Sequence, residues 1–172
     1  MSALAVVASL LRLELPFPIL TFLKFDFAEL PSVLTLMLAG PWWSYFCALM
    51  HMLGLLARGS DPLGAAMKFL AVASMLAGLH AAGRWRLAIL SAAAVRVAVM
   101  SLANLLVLGY LFPAWLAYSE RLLRAAGFSV RGEGEALALT LALVAVFNAL
   151  HTAISVVPSA IVARRVRRAL KL

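Results

Sequence analysis

Charge is scarce in this chain. Only 13% of its 172 residues are Asp, Glu, Lys or Arg, about half the share found in an ordinary soluble domain. Cysteine is rarer still: Cys47 stands alone inside an apolar run, so no disulfide framework exists and the redox compartment stays open. Short strands of alternating polarity are missing, which excludes a membrane barrel. The sequence also has no Gly-rich phosphate loop, no nucleophile-plus-base arrangement and no paired acidic motif. These absences speak against an enzyme, and any ATP-driven activity would need partner ATPases. Finally, Met1 opens into Ala3-Leu4-Ala5-Val6-Val7 without a basic leader or a cleavage site. The expectation is insertion by the chain's own spans, as one domain over residues 1–172.

What the chain does have is apolar length. Hydrophobic residues make up 65% of it and the mean hydropathy is +1.02. In hydrocarbon each backbone group must find its partner within its own segment, which selects helices. The reading is therefore an all-α polytopic membrane protein, a bundle of six transmembrane helices. The spans fall at about 2–14, 28–39, 41–57, 63–82, 87–111 and 136–163. Gly40-Pro41 and Arg58-Gly59-Ser60-Asp61-Pro62 break the runs sharply. Trp115, Leu116, Leu122 and Leu123 interleave with Glu120, Arg121 and Arg124, which predicts a surface amphipathic helix over about 114–126. Pro158 is expected to bend the last turns of the sixth span.

The formal net charge is +8, but its distribution does not suit nucleic acid. Arg84, Arg86, Arg164, Arg165, Arg167, Arg168 and Lys171 cluster, and all seven acids lie elsewhere. That is the positive-inside pattern of a multi-pass plasma-membrane protein with cytoplasmic N- and C-termini. The Phe-rich segment before residue 28 then faces outward, with the Asp61 loop and the Trp115 helix.

That Phe-rich segment is the unusual one. Residues 15–27 carry Phe17, Phe22, Phe25 and Phe27, and Pro16 and Pro18 oppose regular helix. Alternation in Lys24-Phe25-Asp26-Phe27 sets both charges on one side of an extended chain and both rings on the other. An interfacial aromatic belt and a binding surface for a flat heterocycle both fit this pattern. Within the spans, His51, Lys68, Arg96, Asn104, Asn148 and His151 are costly and so are site candidates. Asn148, His151 and Ser155 share a helix face by their spacing. Lys68 either snorkels or meets Asp26 or Asp61, and Arg96 suits structural pairing or snorkelling. His51, His80 and His151 lie on different helices, so no metal site is expected. Ala5 and Ser9 form a small-xxx-small pair that permits close helix approach.

Pro16-Phe17-Pro18, Leu23-Lys24-Phe25-Asp26-Phe27-Ala28-Glu29-Leu30-Pro31-Ser32 and Gly40-Pro41, followed by the His51, Arg58-Gly59-Ser60 and Gly64–Ala71 segments, carry a resemblance. Together they resemble the riboflavin-type S components, the substrate-binding membrane subunits of energy-coupling factor (ECF) transporters. The resemblance covers almost the whole chain and is strongest between Phe25 and Gly64. It implies that six helices enclose a vitamin, riboflavin first, near the outer face, with no catalytic cofactor. Lys24, Phe25, Asp26, His51, Lys68, Asn104, Asn148 and His151 would form the site, with the Phe25 segment as part of its lid. Ala5 and Ser9 would touch a transmembrane coupling subunit joined to two ATPases. The chain departs from the family at His51-Met52, where Lys-Asn is usual, at Met67-Lys68, and at His151, where Lys is common. Another vitamin, a ligand-free membrane scaffold and an intramembrane enzyme are the alternatives. The scaffold reading expects Asn104, Asn148 and His151 to satisfy one another and leave no cavity.

Overall fold

Proline and short polar caps set most of the helix starts. The computed structural model describes residues 1–82 and 85–170, without the side chains of Trp85 and Arg86. The first helix, α1 (Ser2–Leu10), leads into a β-hairpin of β1 (Glu14–Pro16) and β2 (Lys24–Asp26). A 3-10 turn at Phe27–Glu29 precedes α2 (Leu30–Ala39), and then come α3 (Pro41–Ala57) and α4 (Pro62–Ala81). The chain continues through α5 (Trp85–Leu106), a π turn at Val107–Leu111, α6 (Pro113–Ala125) and α7 (Glu133–Leu170). Pro41, Pro62 and Pro113 each occupy the first helical position, where the missing N–H costs nothing. Asp61 caps α4 by accepting from the Gly64 N–H at 2.7 Å, and Gly40, at φ +92°, makes the turn between α2 and α3.

The Phe-rich segment is not an irregular loop. Prolines that oppose helix still tolerate an edge strand, where an unpaired N–H faces outward. Glu14, Leu15 and Pro16 pair antiparallel with Asp26, Phe25 and Lys24. The Phe17 N–H closes the ladder onto the Leu23 carbonyl at 2.8 Å.

Two apolar cores result. One joins α2 to α5 and α7 around Val33, Val72, Met75, Leu76, Ala92 and Val156. The other lies under the hairpin and joins Phe17 and Leu20 to Leu108, Leu116, Leu123 and Phe147. Helix α6 presents Leu116, Ser119 and Leu123 to this second core at spacings of three and four, as its amphipathic pattern requires. Against the bundle exterior stand large apolar side chains such as Leu4, Val7, Trp42, Phe46, Leu90 and Ile161. In water that surface would be costly; in lipid it is the expected face, and the chain is a membrane protein.

The helix lengths revise the expected spans. Among the described residues, three segments are long and apolar enough by themselves to cross a membrane: Pro62–Ala81, Leu87–Leu111 and Glu133–Leu170. The span expected over 2–14 shortens to the 9 residues of α1, about 14 Å at 1.5 Å per residue, because its last residues enter the hairpin. Helix α7 outruns its expected range at both ends and takes in the basic segment. It also passes through Pro158 without ending, at the cost of the hydrogen bond to the Ile154 carbonyl. The expected turn at Gly83-Arg84 and the contribution of Lys171 to the basic tail lie outside the described residues.

Close helix approach depends on small residues. A Cβ built on Gly78 of α4 would fall 2.7 Å from the Ala92 Cα of α5, and one on Gly54 of α3 would lie 3.2 Å from the Ser9 Cβ of α1. Ala5, Ala8 and Ser9 are accordingly buried against the protein itself. The small-residue pair read in α1 thus packs inward, and the outward face of that helix is Ala3, Leu4, Val7 and Leu10. Gly78→Ala should lower detergent-phase stability by about 1–3 kcal/mol through backbone overpacking. Gly132→Ala, with nothing near the added carbon, should be close to neutral. Thermal melts of both variants check this; equal melts would refute the tight α4–α5 crossing.

Candidate functional site

Beneath the hairpin, between the hairpin-side halves of α4, α5 and α7 and the underside of α6, lies a cavity of about 710 Å³. That is within the range of small-molecule sites. Its wall is mostly apolar and aromatic, with Phe22, Leu55, Met100, Leu108, Trp115 and Phe147 among the lining side chains. Its polar groups gather at two levels. At the rim are Glu14, Lys24, Arg58, Asp61 and Lys68; at the floor are Glu29, Arg96, Asn104, Asn148 and His151.

The rim is tied together by Glu14 of β1. Its carboxylate accepts from Lys24 at 2.8 Å, Arg58 at 3.0 Å and Lys68 at 3.4 Å. Arg58 also donates to the Ser9 carbonyl at 2.7 Å and to the Ser60 hydroxyl at 3.0 Å, so it staples the end of α3 to α1 and the hairpin. Asp26, at the end of β2, is buried; it pairs with Lys68 and lies 3.2 Å from His51 Nε2. Its other oxygen accepts the Ala28 N–H and caps the 3-10 turn. Burial alone would raise the Asp26 carboxyl. The hydrogen bond with His51 and the Lys68 charge outweigh it and hold the group well below its ordinary 3.8. Glu14 is also lowered: burial raises it, but bonds from Lys24 and Arg58 and the nearby Lys68 charge prevail.

The floor is organised by Arg96, which is 1% exposed. One terminal nitrogen donates to Glu29 Oε2 at 2.7 Å and lies 3.4 Å from the Met75 sulfur. The other donates to Glu29 Oε1 at 3.1 Å and lies 3.0 Å from His151 Nδ1. The Nε group donates to Asn148 Oδ1 at 2.9 Å. Glu29 further accepts from Ser155 at 3.4 Å. The shared face of Asn148, His151 and Ser155 on α7 therefore meets a single ion pair carried in by α5 and the start of α2.

Each residue named from the sequence has a definite place. Lys24, Lys68, Asn104, Asn148 and His151 line the cavity, and Asp26 and His51 stand just behind it, bonded to each other. Phe25 does not line the cavity: its ring packs edge-on to Phe17 at 6.0 Å and against Phe147 at 4.9 Å, which locks the hairpin onto α7. Lys68 meets Asp26, one of its two expected partners, and Arg96 is internally paired. Asn104 donates only to the Met100 carbonyl, 2.8 Å away. Asn104, Asn148 and His151 thus do not satisfy one another.

Sequence reasoning passed over Glu14, Glu29 and Arg58 as site residues, together with Trp115 and Tyr118, which close the cavity from α6. Trp115 and Tyr118, three apart on a helix whose outer face was expected to lie on the surface, were a usable signal. For the acids only their rarity in an apolar chain pointed inward.

No family model matches this chain, and no curated relative does. A solved structure described as the structure and mechanism of the S component of a bacterial ECF transporter is similar to it, with a TM-score of 0.71 and 23% identity. The match covers 99% of this chain and 93% of that one. At that identity the likeness establishes the fold: the chain has the fold of an ECF S component.

Two predictions concern the charges. Arg96→Leu should cost about 3–5 kcal/mol, because it strands the Glu29 carboxylate in the interior, whereas the Arg96→Leu/Glu29→Leu double variant should recover most of that. A double-mutant cycle by thermal melting decides; equal losses in single and double variants would refute the pairing. Asp26 and Glu14 bind protons less readily folded than unfolded, so their contribution is complete above the ordinary carboxylate values of 3.8 and 4.5. It is lost as pH falls below them. Melting temperature should hold to about pH 5 and fall below about pH 4. Asp26→Asn should start lower and flatten that acid limb; an unaltered limb would refute the assignment.

Proposed function

We propose that this chain is a membrane-embedded substrate-binding subunit of an ATP-driven ECF-type uptake transporter, not an enzyme. The observation that carries this reading is the cavity under the hairpin, with aromatic walls and a few convergent polar groups. That combination suits capture of a small planar molecule by stacking and a few orienting hydrogen bonds. The S-component fold supports the same reading. The ligand class is a vitamin or similar heterocycle, with riboflavin the first candidate on the resemblance of the Pro16–Arg58 stretch. A ligand-free scaffold is disfavoured, since Asn104 retains an unbonded carboxamide oxygen toward an open cavity.

On this reading the hairpin is the lid, and its opening admits ligand from outside. Both termini lie in the cytoplasm of a plasma-membrane protein. Its partners are a transmembrane coupling subunit and two ATPases, which supply the energy. The outward face of α1, with Ala3, Leu4, Val7 and Leu10, is the surface of that helix open to a coupling subunit; Ala5 and Ser9 are buried within the chain, Ser9 against Gly54 of α3.

A thermal-shift screen of the purified chain against vitamins tests the proposal, since ligand raises apparent stability according to its affinity. Riboflavin should shift the melt and its bound fluorescence should change. A shift with another vitamin alone would remove riboflavin, and no shift with any would count against the substrate-binding reading itself. For the ligand that binds, Asn104→Ala should cost about 0.5–1.5 kcal/mol of affinity beyond any change in the ligand-free melt from loss of its bond to the Met100 carbonyl.

A further inference from the structure

Where α1 passes into the hairpin, the chain makes a tight joint. Only Leu11, Arg12 and Leu13 connect the helix end to β1. The Arg12 N–H turns back to the Ser9 carbonyl at 3.2 Å, and the Leu13 N–H to the Ala8 carbonyl at 3.3 Å. This is a Schellman closure, which ordinarily places glycine in the left-handed region. Here Arg12 occupies that region, at φ +53°, the only residue other than glycine with positive φ among those described. A side chain there crowds its own backbone, so the closed joint depends on contacts from elsewhere.

Arg58, which caps the end of α3, supplies them. Its side chain is 11% exposed and forks three ways. One terminal nitrogen donates to the Ser9 carbonyl at 2.7 Å, the other to Glu14 Oε2 at 3.0 Å, and Nε to the Ser60 hydroxyl at 3.0 Å. The Ser9 carbonyl thus takes two donors, the Arg12 N–H from the joint and the guanidinium from α3. A cation there also suits the negative end of the α1 dipole. The backbone of Arg58 is itself fixed, because the Gly59 and Ser60 N–H groups close α3 onto the Leu56 and Leu55 carbonyls at 3.0 Å each. Glu14 opens the strand, and its N–H bonds the Arg12 carbonyl at 2.7 Å. A swing of the hairpin about the joint therefore turns the Glu14 carboxylate relative to a guanidinium that stays with α3.

Resting on the reading of the hairpin as a lid, we infer that Arg58 is a positioning residue that couples the hairpin to α1. With the hairpin down, its guanidinium clamps the Glu14 carboxylate and the Ser9 carbonyl together and orders the last turn of α1. With the hairpin raised, Glu14 leaves, the clamp loosens and so does that turn. Leu10 lies in it, on the outward face proposed for a coupling subunit. The partner thereby meets a differently ordered α1 when the lid is shut. By reciprocity, a partner that orders this turn favours the shut lid.

The test needs no ligand. Hydrogen–deuterium exchange is followed by mass spectrometry on the intact purified chain, over the segments 2–13 and 14–27. Glu14→Gln should speed exchange in the last turn of α1 by about fivefold or more, and so should Arg58→Gln. The double variant should be no faster there than either single one. Arg58→Lys should keep the hairpin near wild-type protection, since an ammonium still pairs with Glu14. It should loosen the end of α1, since it lacks the fork that also reaches Ser9. A Glu14→Gln chain whose hairpin loosens while α1 does not would overturn the inference. So would single effects that multiply in the double variant, or wild-type α1 protection in Arg58→Lys. If Arg58→Gln does not accumulate, Glu14→Gln and Arg58→Lys still give the deciding comparison. Each of these outcomes leaves the vitamin screen to judge the substrate-binding reading by itself.

Discussion

Arg96 sits in mid-helix on α5, 1% exposed, in a bundle whose packed faces are otherwise mostly carbon. A guanidinium cannot shed its charge, so its burial is tolerable only with a counter-charge and a full set of acceptors. Glu29 supplies the first, and Asn148, His151 and the Met75 sulfur complete the set. These partners come from the entry to α2, from α4 and from α7. One side chain thereby fixes how four elements meet. Among the described residues only the Ser32 and Thr140 hydroxyls are buried without a partner, so the interior tolerates few unpaired polar groups.

The same constraint, applied nearer the surface, holds the hairpin in place. A two-stranded hairpin alone is marginal. This one is anchored on one side by Phe17 and Phe25 against Phe147, and on the other by Glu14 and Asp26 against cations from α3 and α4. The alternation of Lys24-Phe25-Asp26 is what makes both anchors possible, since it sends ring and charges to opposite faces of one strand. The cavity is the space that remains once both anchors are made.

Much of this was legible beforehand for physical reasons that differ by element. Breakers such as Gly40-Pro41 and Asp61-Pro62 act locally, so helix ends fall where they predict. The shared face of Asn148, His151 and Ser155 follows from helical spacing alone. The hairpin was not legible, because Pro16 and Pro18 rule out helix without specifying a strand partner. Nor was the Arg96–Glu29 pair, whose members are 67 residues apart; no periodicity encodes such a meeting. Ala5 and Ser9 show the same limit in miniature. Small residues announce that something approaches closely, and at Ser9 that something is Gly54 of the same chain.

Helix α7 carries His151 at the cavity floor and, 16 residues later, Arg167, which donates to the Met37 carbonyl at the end of α2. The two points are about 24 Å apart on a single rod. One continuous helix thereby ties the cavity floor to the opposite end of the bundle. Pro158 stands between them and removes one rung of the backbone ladder. The most compliant point of the rod thus lies between the cavity floor and the basic end.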